Sequence, residues 1–153
     1  METVTVQRTI AAPRQAVFDW ISNAHNYTRI RGIFHEHVAE PGETARYGLG
    51  AVRMLVGVFG VFWERITAYT PPEVFDYHVY RVFPPARHEN GRVSFAEVDG
   101  GTHVVWTSSF ELRVPLLGAF LTRAIARPLF TYVFNRALDL ATDDLTRRPR
   151  QRA

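Results

Sequence analysis

One arginine and one glutamate form the best-defined polar pair of the sequence. Arg53 and Glu64 lie on either side of the segment "GVFG", residues 57–60. A hairpin that turns there places the two side chains opposite each other, with Glu64 on the same face as Phe62 and Ile66. Such a pair must be matched, because an isolated buried charge is very costly. Two interpretations stay open: a structural ion pair, or a pair that orients a ligand or moves a proton.

Two histidines share one face of a candidate strand. His35 and His37 are separated by one residue in "IFHEHVAE", so both side chains point the same way. Because Phe34 and Val38 make the better inward stripe, we expect the histidines at the surface, with cavity lining as the alternative. The sequence adds no further ligands at a spacing typical of a metal site. No metal site is therefore predicted.

Two further histidines and two serines of the last strand do not predict a hydrolase site. His88 lies in "ARHENG" and His103 begins a strand, so both are expected to face solvent. Ser108 and Ser109 lie within that strand, whereas a nucleophilic serine typically occupies a glycine-flanked turn. The sequence therefore favours no arrangement of the Ser/His/Asp type.

Composition limits the class of protein. The chain has 153 residues, of which 46% are hydrophobic and 13% aromatic, which predicts one folded domain with a ring-rich core. No cysteine is present, which excludes disulfides, thiolate zinc sites and a cysteine nucleophile, and favours the cytoplasm. The absence of lysine and the scattered arginines exclude a nucleic-acid platform, and "GLG" is too short for a dinucleotide motif. No cofactor is predicted.

The net charge of +3 depends on the last residues. The tail 147–153, "RRPRQRA", is expected to be basic, solvated and disordered. The opening residues show no basic start followed by an apolar segment, so no signal peptide is expected. The longest apolar stretch contains Arg123, Arg127 and Pro128, and arginines are expensive in lipid. We therefore predict that this is not an integral membrane protein.

Hydrophobic periodicity predicts the elements that must position these residues. "TVTVQRTI" alternates as a half-buried strand, and two short helices follow, over "AAPRQAVFDWISN" and "AHNYTRIRG". Short strands separated by turn residues are then predicted at 33–39, 50–57, 61–69, 73–82, 92–98 and 103–113.

After the last strand the period becomes helical for some thirty residues, and Pro128 should kink or divide that helix. The order predicts an α+β domain over residues 1–146, in which a curved, seven-stranded antiparallel sheet wraps around the long C-terminal helix.

This order of elements, with several short motifs, resembles the START/SRPBCC helix-grip superfamily and its polyketide cyclase/dehydrase group. The motifs are "TVQRTIAAPRQAVFDWISNAHNY", "GLGAVR", "ERITAYTPPEVFDYHV" and "RALDLATDDL". Gly48, Gly50, Arg53 and Glu64 match family positions only as markers of strand register. The resemblance covers about residues 1–146 and implies a deep apolar cavity between sheet and helix that binds lipids, polyketides or similar molecules.

The implied cavity gives the candidate ligand-binding set. Its members are Arg53, Phe62, Glu64, Tyr77, Trp106, Phe110, Phe120, Ala124 and Leu129. The last strand supplies the inward stripe of Val104, Trp106, Ser108, Phe110 and Leu112. The segment His25–Tyr27 would lie near the mouth of the cavity. Two interpretations stay open for it: a gate, or polar residues that simply face solvent. No catalytic residue is assigned.

Three functions follow as hypotheses. The first is binding of a small hydrophobic molecule, and the second is a polyketide cyclase/dehydratase type of enzyme in which Glu64 or a histidine moves a proton. The third is a protein-interaction module, as a monomer or homodimer, that uses exposed Tyr69, Tyr80 or Phe83. The register of one strand is decisive: we predict that Phe75, Tyr77 and Val79 face the cavity and that Tyr80 is exposed.

Overall fold

The seven strands found among the described residues join in one antiparallel sheet. The computed structural model describes residues 1–147. Within them the strands follow the spatial order β1-β7-β6-β5-β4-β3-β2, so neighbours in sequence are mostly neighbours in space. The strands are β1 Glu2–Ile10, β2 Ile33–Glu40, β3 Val52–Gly57, β4 Gly60–Thr70, β5 Val74–Phe83, β6 Ala86–Val98 and β7 Gly101–Leu112.

Helices connect β1 to β2 and close the concave side of the sheet. They are α1 Arg14–Ser22, a 3₁₀ helix Ala24–Arg29, α2 Gly118–Leu121, a π-helix Thr122–Ala126 and α3 Arg127–Thr146. The predicted α+β helix-grip arrangement is therefore confirmed, with two short helices after the first strand. Trp106 stacks on Phe134 with ring centroids 4.4 Å apart, which fastens α3 to the sheet.

The inward stripe of β7 is confirmed. Val104, Trp106, Ser108 and Phe110 are buried, because this face of β7 is covered by the helices. A stripe of this kind stabilises the fold by several kcal/mol, at roughly 25 cal/mol for each Å² of apolar surface removed from water.

The predicted register of β5 is also confirmed. Phe75 and Tyr77 are buried, whereas Tyr80 is 48% exposed. The outward residue Asp76 accepts two hydrogen bonds from Arg92, at 2.7 and 2.8 Å. Tyr77 therefore faces the interior, as required for a residue of the candidate site.

The prediction for β6 is wrong at its beginning. The strand starts at Ala86 rather than at residue 92, and its first part pairs with the end of β7. Three residues of β7, from Phe110 to Ser108, span the same length as four residues of β6, from His88 to Gly91. This bulge shifts the alternation by one residue, so His88 turns inward. The expectation that His88 faces solvent is therefore corrected.

A similar irregularity alters β2. The register shifts between Ile33 and His35, and Phe34 is exposed rather than part of an inward stripe. Ile33, Glu36 and Val38 are the buried residues of this strand. Both His35 and His37 are exposed, as expected for a surface pair.

The C-terminal helix is divided, but by more than a proline kink. Arg127 donates its backbone N–H to the carbonyl of Thr122, five residues earlier, which makes the turn before α3 a π-turn. Pro128 has no N–H to offer to the carbonyl of Ala124, so the ordinary α-helical bond is impossible there. The π-turn changes the phase of the helix face, so Phe120 and Ala124 are exposed.

Two other expectations concern the ends and the membrane. Apart from Arg147, the predicted basic tail lies outside the residues that the structure describes. Across residues 1–147, no helix is both long and apolar enough to cross a bilayer.

Candidate functional site

A cavity lies between the concave face of the sheet and the C-terminal helices. Its volume is about 280 Å³. Most of its wall is aliphatic and aromatic, but Arg53, Glu64, Tyr77, His88 and Ser108 also line it. Since apolar cavities with a few placed polar groups are typical ligand sites, this is the candidate functional site.

Arg53 and Glu64 form the charged pair of the cavity. They are direct partners of β3 and β4, as the sequence predicts, and only 1% and 4% of their surfaces are exposed. Arg53 Nη2 contacts Glu64 Oε1, and Arg53 Nη1 donates to the carbonyl of Ser22 at 3.4 Å. The guanidinium also lies 5.8 and 5.9 Å from the ring centroids of Tyr27 and Tyr77. The electron-rich rings stabilise the cation after its removal from water.

The ion pair leaves hydrogen-bonding capacity unused. Arg53 Nε is buried without a hydrogen-bond partner among the described residues, and Glu64 Oε1 has the charge of Arg53 as its only close polar contact there. Burial lowers the pKa of Arg53, but Glu64 and the two tyrosines raise it by a larger amount. The pKa of Arg53 therefore lies above its ordinary value. Arg53 therefore stays protonated beside Glu64, and its Nε is a donor without a hydrogen-bond partner among the described residues.

Tyr77 supplies a phenol at the same end. Trp106 Nε1 donates to Tyr77 Oη at 2.9 Å. Burial, followed by the charge of Glu64, raises the pKa of Tyr77 to about 12, so its proton stays on the oxygen. In contrast, Tyr27 uses its proton in a bond to the carbonyl of Ile21. Tyr77 is therefore the tyrosine that can donate to a ligand.

His88 is held as a neutral imidazole. The backbone N–H of Val79 donates to its Nδ1 at 3.1 Å, so the ring proton must be on Nε2, which lies 2.8 Å from Ser108 Oγ. Burial, with a smaller effect of His78, lowers the pKa of His88 to about 4. In this tautomer His88 donates to Ser108 and cannot take its proton, so the pair does not form a serine nucleophile.

The ring of Tyr77 lies directly over Gly91. The two residues are partners of β5 and β6, and a Cβ atom at position 91 would be 2.1 Å from the Tyr77 ring. A glycine is required here by space and not by backbone angle. Gly91 therefore sets the depth at which the phenol enters the cavity.

The other end of the cavity is apolar and open. Phe62 stacks on Phe59 with centroids 4.4 Å apart, and Phe130 of α3 lies 5.5 Å from both rings. Val58 and Ile125 line the cavity and are also largely exposed. They mark the mouth.

Most of the predicted site residues do meet in the cavity. Its lining includes Arg53, Phe62, Glu64, Tyr77, Trp106, Phe110 and Leu129. Phe120 and Ala124 are not part of that lining, which corrects the prediction for these two residues. In the segment His25–Tyr27, His25 is exposed while Tyr27 is buried in the cavity wall, so the tyrosine is not a surface polar residue.

Four polar or aromatic contributors received no site role from the sequence analysis. His88 was hidden by the bulge of β6, and Ser108 was placed on the inward stripe without a role. Phe130 and Phe134 are spaced four residues apart on α3 and point together at the sheet, a spacing that could have identified them. Among residues 1–147, no group of histidine, aspartate or glutamate side chains could hold a metal ion.

Solved structures share this fold. TTHA0849 from Thermus thermophilus is 18% identical, with a TM-score of 0.75 over 94% of this chain and 97% of that one. A START superfamily protein from Mycobacterium smegmatis is 16% identical, with a TM-score of 0.71 over 94% and 99%. The di-domain ARO/CYC protein BexL, from the BE-7585A biosynthetic pathway, is 21% identical with a TM-score of 0.74; the match covers 97% of this chain and 51% of that one.

Sequence comparison identifies the family more directly. Among curated protein sequences, none matches this chain. The family model described as "Polyketide cyclase / dehydrase and lipid transport" matches residues 1–146, which contain every element that builds the cavity. The chain therefore belongs to the polyketide cyclase/dehydrase and lipid transport family.

Proposed function

We propose that the protein binds a small, uncharged hydrophobic molecule in the cavity between the sheet and the C-terminal helices. The observation that carries this proposal is the cavity itself, apolar over most of its wall and supplied with unused polar atoms at one end. Its volume of about 280 Å³ is close to twice the roughly 150 Å³ of an engineered cavity that binds benzene. The space therefore suits a molecule of about two fused rings.

The charges of the cavity favour a neutral ligand. Arg53 and Glu64 neutralise each other, and the hydrogen bonds of His88 require its neutral form. A carboxylate or an ammonium group would enter without a free partner of opposite charge, and an unpaired buried charge is very costly. An oxygen that accepts from Tyr77 or from Arg53 Nε would instead be matched.

A matched set of naphthalenes tests this function. We expect 2-acetylnaphthalene to bind more tightly than 2-ethylnaphthalene, which lacks the oxygen, and than 2-naphthoate, which is charged. Binding is measured by fluorescence titration and by the thermal shift of the protein. Native mass spectrometry of protein purified from its own cells, with extraction of any bound molecule, identifies the natural ligand class.

Two alanines provide the control for the location of binding. Ala126 is buried and lines the cavity, whereas Ala124 is exposed and does not. Ala126→Leu is expected to abolish binding of 2-acetylnaphthalene, and Ala124→Leu is expected to leave it unchanged. Equal affinity in both variants would place the ligand elsewhere and contradict the proposal.

A second candidate is an enzyme of the polyketide cyclase/dehydratase type. The observation in its favour is that Glu64, Tyr77 and His88 line the same cavity. Tyr77 would donate a hydrogen bond to a carbonyl oxygen, while Glu64 Oε1 accepts a proton from the adjacent carbon, leaving an enolate and a protonated carboxyl group.

Proton exchange tests the enzyme directly. Bound 2-tetralone in deuterated water should exchange its α-protons faster with the wild-type protein than with Glu64→Gln or Tyr77→Phe, as followed by NMR. Exchange at the uncatalysed rate, together with tight binding, would leave binding as the function. The protein-interaction module without a ligand stays a prediction from the sequence. The cytoplasmic location does so as well.

A further inference from the structure

Large apolar side chains are exposed around the open end of the cavity. We call this set the rim; it consists of Val58, Phe83, Leu116, Leu117, Phe120 and Ile125. Each is more than half exposed, although side chains of these types usually contribute to a core. Exposed apolar groups that gather in one place mark interaction sites far more often than scattered ones do.

The rim is continuous across three segments of the chain. The backbone N–H of Arg113 donates to the carbonyl of Pro85 at 2.9 Å, which joins the end of β7 to the turn between β5 and β6. A Cβ at Gly60 would be 1.9 Å from the carbonyl oxygen of Phe83, so the β3–β4 hairpin lies against the same turn. Val58, on the hairpin, and Ile125, before α3, both line the cavity. The rim therefore lies at the mouth.

Leu116 shows that this exposure is built into the backbone. It has a φ of 67°, in the left-handed region that leucine rarely adopts, and its side chain is fully exposed. This strained backbone conformation points an apolar side chain toward the solvent, where it makes no contact within the protein. Such a residue is explained by a partner that covers it.

The chain segment that carries most of the rim has charges of one sign. Residues 112–138 contain no aspartate or glutamate, whereas Arg113, Arg123 and Arg127 are exposed in this segment. Glu2 lies 3.5 Å from Arg127, and Glu111 lies 3.3 Å from the N-terminal ammonium group. Arg113 and Arg123 have no ion-pair partner among residues 1–147. Apolar side chains flanked by arginines are complementary to a negatively charged lipid surface.

We propose that the rim docks onto an anionic phospholipid membrane, with Leu116, Leu117 and Phe120 entering the interface and the arginines contacting the headgroups. A second copy of the chain fits less well, because a symmetric contact through this face would bring equal positive charges together. Docking in this way does not depend on the ligand. That a hydrophobic molecule then passes between bilayer and cavity rests on the proposed function.

Vesicle binding tests the proposal with the full chain. We expect the protein to float with vesicles of phosphatidylcholine and phosphatidylglycerol at low salt, and to be released from them at about 0.15 M salt, where the Debye length falls to about 8 Å. Vesicles of phosphatidylcholine alone should bind less. The variant Phe120→Gln/Arg123→Gln should lose about tenfold or more of its partition into anionic vesicles.

A matched variant removes an aromatic ring and an arginine from the convex face. Tyr80 is exposed there, with the Arg65 guanidinium 5.7 Å from its ring centroid. Tyr80→Gln/Arg65→Gln should keep wild-type vesicle binding. Both variants retain the terminal arginines, so a loss confined to the rim variant assigns binding to the rim.

Three outcomes would overturn the proposal. The first is failure of the wild-type protein to bind anionic vesicles at low salt. The second is equal binding by the two double variants. The third is a wild-type dimer, seen by light scattering, that the rim variant dissolves, which would make a second copy the partner. None of these results depends on whether 2-acetylnaphthalene binds, so failure of docking and failure of ligand binding are separable.

Discussion

The two ends of the cavity are made of different side chains held in different ways. At the inner end, Arg53, Glu64 and Tyr77 are buried on the adjacent strands β3, β4 and β5, and the Arg53 guanidinium lies close to both other side chains. At the mouth, Val58 and Ile125 are exposed on a hairpin and on the π-turn. At the inner end, packing holds polar atoms in place, whereas at the mouth apolar side chains are exposed to solvent.

This difference assigns a direction to the site. A molecule that enters through the apolar mouth meets matched polar atoms only after its hydrophobic part has left water. Changes at the inner end should therefore cost stability, and changes at the mouth should cost little. The following predictions test that contrast, from the largest expected effect to the smallest.

Removal of one partner of the buried ion pair should have the largest effect. Glu64→Ala leaves Arg53 as an uncompensated buried charge, which is expected to lower the free energy of unfolding by about 3–5 kcal/mol. Urea denaturation followed by circular dichroism measures the change.

The exposed pair of Glu40 and Arg65, 3.4 Å apart, gives the control. Glu40→Ala should cost less than about 1 kcal/mol. If the two glutamate variants lose the same stability, the buried pair does not hold the inner end together as described.

Acid should weaken the inner end through His88. The pKa of this buried histidine is lowered to about 4, so the unfolded chain binds the proton more readily than the folded one. Its contribution is complete above about pH 6.5 and is lost as the pH falls toward 4, by up to about 3 kcal/mol. The imidazole stacks on Tyr77 and lies next to His78, which opposes a second charge.

The pH dependence should belong to this histidine. Between pH 6.5 and 4, the unfolding free energy of His88→Gln is expected to fall less steeply than that of the wild-type protein. His37 is exposed, and His37→Gln should keep the wild-type slope. An unchanged slope in His88→Gln would assign the acid effect to other groups.

A methyl group at position 91 should disturb the phenol. Gly91→Ala places its Cβ in the space of the Tyr77 ring and is expected to cost about 1–3 kcal/mol, as overpacking does elsewhere. A double-mutant cycle isolates the contact, because the cost should shrink when Tyr77→Val removes the ring. An equal cost in both backgrounds would show that Gly91 is needed for another reason.

The rim should tolerate change best. Phe120 is 58% exposed, so Phe120→Ala is expected to alter the unfolding free energy by no more than about 0.5 kcal/mol. Phe62→Ala is the matched change inside the mouth, where the ring stacks on Phe59, and it should cost more. A large loss in Phe120→Ala would mean that the rim supports the fold.

Alternation along continuous strands could be predicted from the sequence. The pairing of Arg53 with Glu64 followed from one tight hairpin, and the inward direction of Tyr77 followed from period two along β5. In both cases the strand carries no extra residue between the predicted residue and the apolar residues from which its alternation was read.

Inserted residues explain the rest. One extra residue in β6 turned His88 into the cavity, and one in β2 left Phe34 in solvent. The π-turn adds one residue to a helical turn in the same way, so Phe120 and Ala124 face outward. Periodicity does not reveal where a strand or helix carries an extra residue, because hydrogen bonds to neighbouring elements decide its place.

The π-turn also makes the orientation of the rim adjustable by chain length. Successive residues of an α-helix are rotated by about 100°, so deleting one residue within Thr122–Ala126 would rotate the preceding residues by about that angle relative to α3. Phe120 would then point to a different side of the helix axis. The extra residue of the π-turn therefore sets the direction in which the segment before α3 presents its ring.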